Sequence, residues 1–153
     1  MPTVAFICSA NVCRSPMAHA IFVAEAKRRG LRVNVISAGI WDFEGTPTAD
    51  EACLACERHQ IPMQKFIATH IHNADLEGLT RVFVMEQKHV EALLAKTALP
   101  PDRISLLSKY DPQERGADIE DPMGQDAVAF DTCFRRIRDC IVNYLDGGGE
   151  LNG

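Results

Sequence analysis

The chain has 153 residues, 46% of them apolar, and its 16 basic and 21 acidic side chains give a formal net charge of −5. That length predicts one domain of the usual size of roughly 100–200 residues, long enough to bury a core without disulfide staples. The acidic balance argues against nucleic acid or an anionic membrane as partner, and no apolar run approaches the roughly 20 residues of a membrane-spanning helix.

Residues 3–8 (TVAFIC) form a short apolar run, partly β-branched, which reads as a strand buried on both faces rather than a signal peptide. Ser15 and Pro16 then read as the N-cap and first residue of a helix over 17–29, stopped by Gly30. Residues 32–36 (RVNVI) predict the second strand, ending at Ser37-Ala38-Gly39. A turn-rich loop over 39–48 carries Trp41 and Phe43, and a helix is expected over 49–59. Residues 61–79 are poorly patterned, with room for one short helix. Residues 81–85 (RVFVM) predict a strand, 86–96 a helix, and 103–107 (RISLL) a fourth strand. An acidic loop fills 109–124, an amphipathic helix 125–145, and Gly147-Gly148-Gly149 begins a frayed tail over 147–153. Six cysteines without an export signal suggest reduced thiols and a cytoplasmic protein.

Strand and helix alternate throughout. The expected fold is therefore α/β: a three-layer sandwich with a four-stranded parallel sheet and helices on both faces, forming a single domain over 1–146. Ligands of such sheets lie outside the carboxyl ends of the strands.

The loop after the first strand sits there. In Cys8-Ser9-Ala10-Asn11-Val12-Cys13-Arg14-Ser15, a cysteine and an arginine are separated by five residues. A turn at a helix N-terminus aims backbone N–H groups inward and adds the positive end of the helix dipole, which suits an oxyanion. Arg14 can clamp two phosphate oxygens with its planar fork. Cys8 at the mouth of such a nest faces positive potential, which favours the nucleophilic thiolate. Asn11 tolerates the left-handed backbone that a loop without glycine needs. Ser15 can cap the helix or hydrogen-bond the sulfur. The motif by itself is short, and a cysteine ending an apolar strand also fits a buried core thiol; its place at a strand-to-helix crossover is what favours the nest.

The segment CSANVCRSPMAHAIF resembles the active-site signature of the low-molecular-weight protein tyrosine phosphatases. Ser37-Ala38-Gly39, the VFVME segment with Lys88-His89-Val90, and Asp121-Pro122-Met123-Gly124 resemble further segments of that family, in the same order. The resemblance implies that Cys8 is the nucleophile and Arg14 the clamp on the phosphoryl oxygens. It implies that Asp121 is the general acid and that a cysteinyl-phosphate forms. The amides from Ser9 to Ser15 would bind phosphate, braced by Asn11, Ser15 and Ser37. Trp41, Phe43 and Met123 would form the substrate pocket. A cysteine at the position of Cys13 can pair with the nucleophile in this family. Neither cofactor nor metal is expected, and the Cys53/Cys56 and Cys133/Cys140 pairs, at helical spacing, read as core thiols.

Two positions depart from the family's pattern. Met123 stands where many tyrosine phosphatases have an aromatic residue, and Phe66 where a histidine often braces the phosphate loop. His70 and His72 lie out of register with that position. The expected partner is a phosphorylated protein, with inorganic phosphate or other oxyanions able to occupy the site, on a monomer or weak dimer. Phosphotyrosine is the first substrate reading and phosphoarginine the second. Arginine phosphatases of this fold tend to carry threonine where Val12 stands, and valine offers no hydroxyl to a guanidinium. An arsenate reductase would need relay cysteines after the third strand, and residues 85–96 hold none. A non-catalytic phosphate-binding module would be natural only without Cys8, Arg14 or Asp121. A second Asp-Pro pair, at Asp111, is the rival for the acid, with Asp118 and Asp126 further off.

Overall fold

The continuously apolar strand Thr3–Cys8 (β1) is the centre of the molecule, and in this computed structural model, which describes residues 1–147 and 151, everything else is arranged around it. Its neighbours are Asn34–Gly39 (β2) and Arg81–Val84 (β3), and Ile104–Leu106 (β4) completes a fully parallel sheet in the order β2-β1-β3-β4. Among the described residues four α-helices connect and cover the strands: Arg14–Arg28 (α1), Asp50–Arg58 (α2), Gln87–Lys96 (α3) and Ala127–Asp146 (α4).

The period of two along β1 divides the core. Val4, Phe6 and Cys8 join one buried cluster with side chains of α1, α2 and α4, whereas Ala5 and Ile7 join a second cluster that includes Leu93 of α3. Aromatic rings consolidate the larger layer. Phe6 stands 5.5 Å from Phe22 and 5.6 Å from Phe83, and Tyr144 lies edge-on to Phe83 at 5.0 Å. Helices thus lie on both faces of the sheet, and Cys8 is delivered to its carboxyl edge.

Two expectations near the site shift. Helix α1 starts at Arg14, inside the loop, and the hydroxyl of Ser15 does not cap it. A capping side chain would occupy N–H groups that here remain open. Pro16, which lacks an N–H, sits in the first turn, where none is needed for the helix. Strand β2 runs on through Ser37-Ala38-Gly39, because its ladder with β1 continues to the Cys8–Gly39 pair. The poorly patterned stretch contains one short 3₁₀ turn, Ile71–Asn73, and otherwise straps the end of β2: the Gly39 N–H donates to the Thr69 carbonyl at 2.8 Å. The expected frayed tail falls mostly outside the described residues. Among the described residues, no helix is long and apolar enough to cross a membrane.

Candidate active site

The loop between β1 and α1 is shaped by where its carbonyls go. Those of Cys8, Ser9 and Val12 accept from the N–H groups of Ile40 (3.0 Å), Trp41 (2.8 Å) and Ala49 (3.0 Å). The N–H groups from Ala10 to Cys13 find no backbone acceptor among the described residues, and they precede the positive end of α1. Asn11 makes the bend at φ 58°. Gly39 makes it possible from outside: a Cβ there would lie 2.8 Å from the Ala10 carbonyl carbon and 2.9 Å from the Asn11 nitrogen.

Cys8 is buried, with Sγ 3.0 Å from Ser15 Oγ. Asn11 Nδ2 donates to the same Ser15 oxygen at 2.7 Å, which leaves the Ser15 hydrogen free to point at the sulfur. Asn11 Oδ1 in turn accepts from the Thr69 N–H at 3.0 Å. A backbone amide thus braces Asn11 from the strap. Phe66 packs its ring on His19 at 4.6 Å and hydrogen-bonds through its backbone to Thr48. Ser37, expected to brace the loop, has its hydroxyl 3.4 Å from His19 Nδ1 instead. It pairs with Phe6 and so shares the α1 face of the sheet, where its hydroxyl meets His19 of α1 and not the loop. Burial holds the His19 pKa down to about 4.

Arg14 is only 1% exposed, an unusual place for a guanidinium. Its Nη1 donates to Glu86 Oε2 at 2.6 Å and to the Ile119 carbonyl at 2.7 Å, and its Nη2 to Ser9 Oγ at 3.3 Å. The Nε edge, with the second Nη2 hydrogen, remains for a bidentate anion. Burial opposes the charge, but the Cys8 sulfur and the Glu86 and Asp121 carboxylates outweigh it and raise the Arg14 pKa. Glu86 and Ile119 were not legible as site residues. Glu86 reads as a helix start, and a carbonyl leaves no trace in sequence.

Asp121 Oδ2 lies 3.6 Å from Arg14 Nη2, and its Oδ1 accepts from the Met123 N–H at 3.0 Å. The rival carboxylates have other partners. Asp111 is buried against Arg136 at 2.7 Å, Asp118 accepts from the Gln87 N–H at the start of α3, and Asp126 caps α4 through the Ala129 N–H. Burial works against ionised Asp111, but the Arg136 contact and two backbone N–H groups overcome it and lower its pKa.

Cys8, Arg14 and Asp121 line one cleft of about 160 Å³. Its walls are Ala10, Val12, Trp41, Phe43 and Met123, and Thr46, which the sequence reading missed, adds a hydroxyl. The rings of Trp41 and Phe43 stand 6.1 Å apart at 37°, each nearly half exposed. Cys13 is buried, with Sγ 4.0 Å from Met123 Sδ; both it and Cys8 are free thiols. Burial, and then the charges of Asp121 and Cys8, push the Cys13 pKa up. Cys56, Cys133 and Cys140 are core thiols, held by burial at a pKa of about 12.

Fold and site together define an α/β protein with a cysteine, an arginine and a loop of inward N–H groups gathered at the carboxyl edge of a parallel sheet. The family model for low molecular weight phosphotyrosine protein phosphatase matches residues 3–151, and the chain belongs to that family. A Streptomyces coelicolor low molecular weight protein-tyrosine-phosphatase is 32% identical over 93% of this chain and 90% of its own. A Bacillus subtilis protein-arginine-phosphatase is 34% identical over 78% of each chain. The crystal structure of a low molecular weight protein tyrosine phosphatase from T. tengcongensis superposes with a TM-score of 0.88 at 28% identity, covering 96% of this chain and 99% of that one.

Proposed function

We propose that the protein hydrolyses phosphotyrosine in proteins through a cysteinyl-phosphate, acting as a single domain over 1–146 and requiring Cys8 to be reduced, as in a cytoplasm. One observation carries this reading: Cys8, Arg14 and Asp121 open into the same apolar-walled cleft. Cys8 Sγ attacks phosphorus in line with the ester oxygen, forming the S–P bond as the P–O bond breaks. Charge spreading over the equatorial oxygens is met by the loop amides and the free edge of Arg14. Asp121 gives its proton to the departing oxygen. It then takes a proton from water, whose oxygen attacks phosphorus and releases the thiolate and inorganic phosphate. The Ser15 hydroxyl stabilises the thiolate in both resting and departing states.

The wall decides between substrates. Trp41, Phe43 and Met123 offer apolar surface to a phenyl ring, and the thioether of Met123 can pack on an aromatic face. The relationship to a protein-arginine-phosphatase supports phosphoarginine as the second reading. Val12 lines the cleft without a hydroxyl for a guanidinium, which favours the ring. The test is a panel of phosphotyrosine, phosphoarginine and phosphoserine peptides with the purified protein and Cys8→Ser. Phosphotyrosine should be turned over fastest, and Cys8→Ser should be inactive on all three while still binding phosphate. Faster release from phosphoarginine would reverse the order of the two readings, and an active Cys8→Ser would remove the cysteinyl-phosphate.

A further inference from the structure

A closed ring of hydrogen bonds joins the phosphate loop to the start of α3, on the opposite face of the sheet from α1. Arg14 Nη1 donates to Glu86 Oε2 at 2.6 Å. The Glu86 N–H donates to His89 Nδ1 at 3.1 Å, and the Glu86 side chain accepts from the His89 N–H, a reciprocal cap on α3. His89 Nε2 lies 2.9 Å from Ser9 Oγ, and Arg14 Nη2 returns to that same oxygen at 3.3 Å. Ser9, Arg14 and His89 are each 1% exposed.

The ring fixes its own tautomer. Nδ1 accepts the Glu86 N–H, so it carries no hydrogen, and Nε2–H must donate to Ser9. Glu86 Oε2 is the more distant neighbour of that nitrogen, at 3.8 Å. Burial, then the charges of Arg14 and Lys88, hold the His89 pKa down to about 4 against the opposing pull of Asp118 and Asp121, so the imidazole stays neutral. A neutral, buried, fully paired imidazole is a rigid donor.

We infer that His89 is a positioning residue for the phosphatase reaction: by donating to Ser9 Oγ it holds the acceptor on which Arg14 Nη2 rests, and so aims the free edge of the guanidinium at the transition state. Glu86 and Ile119 anchor only Nη1. With one end held, the guanidinium plane can rotate; with Ser9 fixed at the other, it cannot. The role rests on the function proposed above, since it concerns the clamp of that reaction.

The experiment compares His89→Leu, His89→Gln, Ser9→Ala and the Ser9→Ala/His89→Leu double variant on p-nitrophenyl phosphate. Inhibition by phosphate and by vanadate, which mimics the five-coordinate transition state, is measured alongside thermal midpoints. His89→Leu and Ser9→Ala should each lower kcat by about 10–100-fold, the range for a slightly misplaced catalytic group, with KM little changed. Vanadate should lose affinity in step with kcat, and phosphate should not. The double variant should be no worse than the poorer single one, because both remove the same contact. Glutamine can accept the Glu86 N–H and donate to Ser9 from one amide, so His89→Gln should recover most of the loss. Multiplicative losses in the double variant, wild-type kcat in Ser9→Ala, or equal weakening of vanadate and phosphate would overturn the assignment. If His89→Leu does not fold, Ser9→Ala and His89→Gln decide it. A wild-type protein inactive on p-nitrophenyl phosphate would defeat the proposed function itself, whereas an active wild type with an indifferent Ser9→Ala would defeat only the role of His89.

Discussion

Replacing Gly39 by alanine tests whether the phosphate loop is held in shape from outside. The backbone of Gly39 is not left-handed, so alanine suffers no conformational penalty of its own. The added methyl meets backbone instead: 2.8 Å to the Ala10 carbonyl carbon, 2.9 Å to the Asn11 nitrogen and 2.9 Å to the Ser9 oxygen. Carbon atoms rest at about 3.5–4.0 Å, so relief needs a shift of about 0.7 Å or more between β2 and the loop. Neither side yields easily. Gly39 is paired with Cys8 in the sheet and tied to Thr69, and the Ser9 carbonyl is held by the Trp41 N–H. Overpacking of this kind costs ~1–3 kcal/mol. At about 2–4 °C per kcal/mol for a domain of this size, the thermal midpoint should fall by ~2–12 °C. Activity should fall further, because a displacement approaching 1 Å at the anion site costs ~10²-fold. Calorimetry and steady-state kinetics on p-nitrophenyl phosphate, with phosphate inhibition as a probe of the nest, measure both. A Gly39→Ala protein with unchanged midpoint and kcat would show that the loop holds its shape without this contact.

Arg14→Lys keeps the charge but loses the planar fork and its anchors on Glu86, Ile119 and Ser9, so its kcat should fall by ~10²–10³-fold, close to Arg14→Ala; a lysine variant near full activity would reduce Arg14 to diffuse charge. Asp121→Asn should cost ~10²–10⁴-fold on phosphotyrosine peptides, less on p-nitrophenyl phosphate with its better leaving group, and should remove the alkaline limb of the pH–rate profile. Asp111→Asn should keep that limb and instead lose ~1–3 kcal/mol of stability at neutral pH. The Asp111 pKa is lowered in the folded state, so its contribution is present above the unfolded carboxylate pKa of about 4 and disappears as pH falls through the lower folded value. The difference between wild type and Asp111→Asn should therefore shrink in acid, and an unchanged Asp121→Asn profile would move the acid role elsewhere.

Much of this was local enough to read from residues alone. The apolar run of β1, the break into Cys8-Ser9-Ala10-Asn11-Val12-Cys13-Arg14, and the alternation of strands with amphipathic helices are short-range patterns, and each recurs in the structure. Asn11 could be picked out as the left-handed residue because few side chains tolerate that backbone. Other properties depended on which distant segments meet. Four aspartates crowd residues 111–126, and although the family resemblance singles out Asp121, packing is what gives Asp111 to Arg136, Asp118 to α3 and Asp126 to α4 and leaves Asp121 at the cleft. Ser15 resembles a helix cap, yet its hydroxyl serves the sulfur, because Asn11 and Cys8 converge on it across the loop. The brace on Asn11 is a backbone N–H from a segment with no recognisable pattern, and the anchors of Arg14 lie 72 and 105 residues away. Hydrophobic periodicity reports which face of an element is buried, and a motif reports chemistry within one loop. Hydrogen bonds between buried polar groups far apart in the chain have no such period, so only the tertiary structure decided how the guanidinium, the sulfur and the acid are held.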